Sequence, residues 1–171
     1  MKVLAASDIH GSINWAEKII DKFHEEKADK LLLLGDLLYH CPRNDLPGDY
    51  QPRKVIELLN SEASNILAVR GNCDTEVDQM VLGFPIMADY IYIMSGETVI
   101  FATHGHKYNP LTPPVALPKD AVLLCGHTHI AADEKMEGYR YMNPGSPSIP
   151  KNGSKPSYII IEDGRVELKE F

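Results

Sequence analysis

The run Lys30-Leu31-Leu32-Leu33-Leu34 stops at Gly35-Asp36, and a strand apolar on both faces is stable only inside a sheet that is covered on both sides. Two other short runs carry the same punctuation, Lys2–Ser7 before Asp8 and Ile66–Val69 before Arg70-Gly71. After the first of them, Asn14 with Glu17 reads as a capping box, and Trp15, Ile19 and Phe23 recur every fourth residue as the buried stripe of a helix. A Pro-, Gly- and Asn-rich loop from Leu37 to Gln51 leads to Pro52, which opens a second helix with Val55, Ile56, Leu58 and Leu59 on its apolar face. The first half thus reads β-α-β-α-β. The second half is strand after strand: Ile86–Met94, Thr98–Thr103, Ala121–Cys125, Lys135–Tyr141, Ser157–Glu162 and Arg165–Phe171, with Asp163-Gly164 as a hairpin turn. One α/β domain over residues 1–171, with two sheets packed on each other, accounts for this pattern.

Composition narrows the function. No apolar run approaches the roughly 20 residues of a membrane span, and the segment Met1–Ser7 enters a strand too soon to be a secretory signal, so cytoplasmic residence is expected. The 3 cysteines, Cys41, Cys73 and Cys125, are odd in number and far apart, which predicts neither a disulfide framework nor a thiolate metal cluster. A net charge of −7 argues against nucleic acid as a stable partner. Attraction for an anionic substrate must then be local.

Five motifs supply that locality, each where an apolar strand ends: Asp8-Ile9-His10, Gly35-Asp36, Gly71-Asn72-Cys73-Asp74, His104-Gly105-His106 and Gly126-His127-Thr128-His129. The carboxyl ends of strands in an open α/β sheet are where ligands bind, and the i, i+2 spacing in extended backbone would point both side chains of a pair the same way. The donors are two carboxylates (Asp8, Asp36), one amide oxygen (Asn72) and four imidazoles (His10, His104, His127, His129). That set exceeds what one tetrahedral ion takes and suits two ions sharing a ligand, with Asp36 the natural bridge. Oxygen and imidazole donors without thiolate favour Mn²⁺, with Zn²⁺, Fe²⁺ and Ni²⁺ as alternatives. Two such cations outweigh two aspartates, bind phosphate oxygens and lower the pKa of a bridging water toward neutrality, so attack of hydroxide on phosphorus is the expected chemistry.

In order and spacing, these five motifs resemble those of the calcineurin-like metallophosphoesterases. The loop His40-Cys41-Pro42-Arg43-Asn44 and the run Asn143-Pro144-Gly145-Ser146-Pro147-Ser148-Ile149-Pro150 are similar to bacterial and archaeal YfcE-type phosphodiesterases. The resemblance implies a four-layer α/β/β/α sandwich, the metallo-dependent phosphatase fold, with two mixed sheets flanked by helices. It implies Asp8, His10, Asp36 and His129 on one ion and Asp36, Asn72, His104 and His127 on the other, a small phosphate ester as substrate, and a homo-oligomer, dimer or tetramer.

Where many members carry a histidine after Gly-Asn, this chain carries Cys73, a poorer acid for the leaving group. Asn72, Cys73, Asp74 and His106 are therefore the catalytic candidates, and His40, Arg43, Asn44, Cys73 and His106 the substrate-binding ones. His24 reads as a surface residue, Cys41 and Cys125 as small packing residues. A phosphomonoesterase and a non-catalytic scaffold, as in the metallophosphoesterase-like subunit of retromer, are the alternatives to a phosphodiesterase.

Overall fold

A computed structural model describes all 171 residues. The three leading strands, β1 (Val3–Ala6), β2 (Lys30–Leu33) and β3 (Ile66–Ala68), lie side by side in parallel. Two later strands, β9 (Ser157–Glu162) and β10 (Arg165–Glu170), return antiparallel beside β1, giving the order β10-β9-β1-β2-β3. Their connection, Asp163-Gly164, has φ of 49° and 82°, the doubly positive backbone of a tight hairpin turn. The second sheet contains β4 (Tyr90–Ser95), β5 (Thr98–Thr103), β6 (Ala121–Leu124), β7 (Ala131–Lys135) and β8 (Tyr139–Pro144) in the order β4-β5-β6-β8-β7. Here β5, β6 and β8 are parallel, with antiparallel β4 and β7 at the edges.

The leucine run is buried on both faces for a specific reason. Leu31 and Leu33 join Leu4 and Ala6 against α1 (Ile13–Glu25) and α2 (Pro52–Ser61), meeting Ile19, Phe23, Val55 and Leu59. Leu32 and Leu34 join Val3 and Ala5 against Ile100, Ala102, Val122 and Leu124 of the second sheet. Two packed mixed sheets with flanking helices are thus the expected sandwich. Its outermost layer over the second sheet is thin: Phe101, Leu123, Cys125 and Tyr141 are covered by Tyr108 and Leu117 from the connection between β5 and β6.

Local readings shift in three places. The cap of α1 is Ser12, whose hydroxyl accepts the Trp15 N–H at 3.3 Å, while Asn14 is already helical and donates its backbone N–H to Asp49 at 2.8 Å. The expected strand Lys135–Tyr141 is split by a turn: Lys135 ends β7, residues 136–138 turn with Gly138 at φ 82°, and Tyr139–Tyr141 begin β8. An edge strand such as β7, with Asp133, Glu134 and Lys135 exposed, lacks the apolar alternation that betrays buried strands. Finally, a short helix α3 (Glu76–Val81), opened by a Thr75–Asp78 capping box, follows the third motif, where no element was expected.

Candidate metal centre

All seven expected donors meet at one end of the two sheets. His10 and His129 face each other with Nε2 atoms 3.2 Å apart, and Asp8 Oδ1 lies 3.6 Å from the first and 3.3 Å from the second. On the other side His104 Nε2 is 3.0 Å from Asn72 Oδ1 and 3.3 Å from His127 Nδ1. Asp36 Oδ2 sits between the two groups, 3.9 Å from His10 Nε2 and 3.5 Å from His104 Nε2. A ligand shared by two ions would lie there.

The backbone route to this convergence is not the expected one. Asp8, His10, Asp36, His127 and His129 have φ of 56°, 50°, 55°, 69° and 61°, left-handed values rather than extended ones. The paired side chains therefore converge through tight turns off the strand ends, and strand alternation plays no part. A non-glycine residue in this region costs about 1 kcal/mol or more, so neighbouring groups must hold it there. The hydroxyls of Ser146 and Ser148 both donate to the Asp8 carbonyl, at 2.7 and 2.9 Å. The buried Asp74 carboxylate accepts the N–H groups of Asp36, Leu37 and Gly71 at 2.9, 3.0 and 2.7 Å. Two glycines serve close approach: a Cβ on Gly71 would overlap Asp36, and one on Gly126 would overlap Ser7 and Asp8.

Hydrogen bonding fixes which nitrogen of each ring is free. His10, His104 and His129 donate Nδ1–H to the carbonyls of Tyr39, Leu34 and Ile149 at 2.7, 2.7 and 2.9 Å. Their Nε2 lone pairs therefore point inward, the usual arrangement behind a metal-bound histidine. Lone pairs at such distances, beside a buried Asp8 Oδ1 with no hydrogen-bond partner, repel unless a cation lies among them. The residues thus fit a divalent metal pair, and a proton is the only competitor. Burial works against a charge on His104, yet Asp8 and Asp36 raise its pKa to about 9. Burial, with His104 next, lowers His127 to about 4. Burial also disfavours ionised Asp8, but the histidines, His104 foremost, hold its carboxyl well below the usual range.

The remaining candidates divide. Arg43 and Asn44 line a cleft of about 270 Å³ that opens on Asp36, Asn72, His127 and His129, and sequence reasoning missed two further residues of its wall, Thr128 and Lys151. His106 lies beside this group, its ring 5.4 Å from His104, with a buried, unpartnered Nδ1 and a pKa lowered by burial and by His104. His40 instead packs edge-on against Tyr39 and Tyr50, at 4.7 and 5.5 Å, outside the cleft wall. Asp74 touches backbone amides only and is a positioning residue. Asn143 likewise supports the site, donating to the Gly126 carbonyl at 2.7 Å and to Thr128 Oγ1 at 3.1 Å. The polar Asn143–Pro150 run was the available signal for it.

The cysteines require a correction. Cys41 and Cys73 are joined as a disulfide, with Cα atoms 6.0 Å apart and a sequence separation of 32. Spacing conceals the pairing, whereas β2 and β3 are adjacent parallel strands, so the loops at their carboxyl ends are neighbours. In this state Cys73 has no thiol proton to give a leaving group. Asn72 donates its amide Nδ2–H to the sulfurs of Cys73 and Cys41 at 3.1 and 3.5 Å. Cys73 Sγ also lies within 4.8 Å of donor atoms of His10 and Asp36, but in the disulfide it has no thiolate to offer a cation.

The profile of the calcineurin-like phosphoesterase superfamily domain matches residues 1–164, and the chain belongs to that superfamily. It is 46% identical over 163 residues to Phosphodiesterase YfcE of Escherichia coli K12, spanning 95% of this chain and 88% of that protein. The solved structure of the Escherichia coli phosphoesterase YfcE superposes with a TM-score of 0.95 at 44% identity, over 99% of this chain and 93% of that one. Vps29 of Entamoeba histolytica shares the fold, with a TM-score of 0.63 at 21% identity over 99% of this chain and 97% of that one.

Proposed function

We propose that this chain hydrolyses phosphodiester bonds with a dinuclear divalent metal centre, Mn²⁺ first among the candidates because the donors combine carboxylate and amide oxygens with imidazole. The observation that carries the reading is the ring of inward Nε2 lone pairs around an unpartnered, buried Asp8 Oδ1. Asp8, His10, Asp36 and His129 would hold one ion, and Asp36, Asn72, His104 and His127 the other. When bound, the metals supply Lewis acidity toward phosphate oxygens and an activated water.

The chain's own residues do the rest. Arg43 and Lys151 make no ion pair with a carboxylate and face the cleft from its wall, so they attract a phosphate group and steady its free oxygens together with Asn44. His106, its ring 5.4 Å from that of His104 and 6.3 Å from that of His127, would exchange a proton with the leaving oxygen through Nε2, since its Nδ1 is buried. The likeness to a protein named a phosphodiesterase favours diesters over monoesters as substrates. The intact donor set speaks against a scaffold. A homo-oligomer belongs to the same reading, since Tyr90, Tyr92 and Met94 expose apolar surface on the edge strand β4.

The test is a panel of aryl phosphodiesters and phosphomonoesters assayed after chelation, with and without added Mn²⁺. Diester turnover that returns with Mn²⁺, and is absent in Asp36→Asn, is the expected result. Metal-independent turnover, or monoesters consumed faster than diesters, would overturn it.

A further inference from the structure

The Cys41–Cys73 pair stands where a covalent change would reach the metal centre. Cys41 lines the metal cleft, and Cys73 lines an apolar groove on its far side with Leu38, Tyr39 and Tyr50. The sulfur bridge is thus the wall between two hollows, open to small reagents from either side, although each cysteine is itself buried. It also ties the loop that carries Arg43 and Asn44 to the turn that carries Asn72. The two sulfurs accept from Asn72 Nδ2 while Asn72 Oδ1 faces His104, so the sulfur pair decides which end of the amide is turned toward the metal donors. No other donor at the centre is oriented by a group that can be made and broken covalently.

We propose that Cys41 and Cys73 form a redox-active dithiol–disulfide site that adjusts metal binding through the orientation of Asn72. In the oxidising step each thiol loses one proton and one electron as the S–S bond forms. With hydrogen peroxide as oxidant, the O–O bond breaks, the peroxide takes up both electrons and both protons, and two waters leave. A dithiol reductant reverses the step and is itself oxidised to a disulfide. With the bond closed, Asn72 presents its oxygen beside His104. With it open, Cys73 Sγ is released within reach of the donors His10 and Asp36, and the amide loses the partner that held it. Cys125 stays outside the exchange, because it is buried in another cluster and burial pushes its thiol up to about 12.

The proposal rests on the metal-centre reading, but its test does not require turnover. Folded wild-type protein is treated with hydrogen peroxide or with dithiothreitol, quenched, unfolded and alkylated, and the alkyl groups are counted by mass. All 3 cysteines should be labelled after dithiothreitol, and Cys125 alone after peroxide. Cys41→Ser should keep Cys73 and Cys125 labelled in both. Mn²⁺ binding by the metal-free wild type, followed by calorimetry, should be about tenfold tighter for one of the two ions in the oxidised form, the scale on which positioning contacts act, and should not respond to oxidant in Cys41→Ser. Three labelled thiols after peroxide, a disulfide that dithiothreitol does not open in the folded protein, or equal Mn²⁺ affinity in both redox forms would each overturn the proposal. Failure of the phosphodiesterase reading would appear elsewhere, as absent turnover with an intact thiol count.

Discussion

The two halves of the candidate metal centre are built to different standards. Asp8, His10 and His129 are fully or nearly fully buried, and both rings are pinned by Nδ1–H bonds to carbonyls. In the other half only His104 is buried and pinned in that way; Asn72 is exposed and His127 half-buried, with its Nδ1 turned inward. The first half is a rigid socket, preorganised before any ion arrives. The cleft, where substrate must enter and product leave, is lined by Asn72 and His127 of the second half and by His129 of the first. A centre that must exchange ligands on one side and keep its shape on the other gains from this division.

Four outcomes would break or sharpen that contrast. The largest concerns Asp36, which belongs to both halves: Asp36→Asn should lower both ion occupancies and cut aryl diester turnover about 10³-fold or more, the several kcal/mol that metal charge contributes. Normal loading of either ion, seen by elemental analysis, would remove Asp36 from the bridge. Next, His129→Ala should weaken Mn²⁺ binding about 100-fold and His127→Ala about tenfold, at the two ends of the range for perturbing a metal site; equal losses in calorimetry would erase the difference between halves.

A smaller effect is expected from replacing Ser146 and Ser148 together by alanine. This strips the Asp8 carbonyl of both donors and should cost about 1–2 kcal/mol of stability, read by chemical denaturation, with the first ion weakened and the second unchanged. If the second ion alone responds, the supports have been assigned to the wrong half.

The smallest concerns pH in metal-free protein. His104, raised to about 9, contributes stability that is complete below its unfolded value of about 6.5 and is lost as pH climbs through about 9. His127, lowered to about 4, acts oppositely, costing stability as pH falls below about 6.5. The two together place the maximum near pH 6.5, and thermal unfolding with chelator present should trace it; a melting temperature that rises steadily to pH 9 would contradict the His104 assignment.

What the chain determined by itself was its catalogue of parts. Apolar runs such as Lys30–Leu34 and Thr98–Thr103 announced buried strands because burial on both faces leaves no room for polar alternation. The side chains of the candidate metal centre could be picked out because each follows a strand end, and strand ends of a parallel sheet gather at one edge. What only the tertiary structure decided was conformation and company. The left-handed turns at Asp8 and His10 are held by Ser146 and Ser148 from the far end of the chain, and no local propensity encodes a backbone that distant hydroxyls must restrain. Cys41 and Cys73 find each other only because β2 and β3 are neighbours. Spacing along a sequence reports which side chains exist, whereas hydrogen bonds across the fold settle where they point.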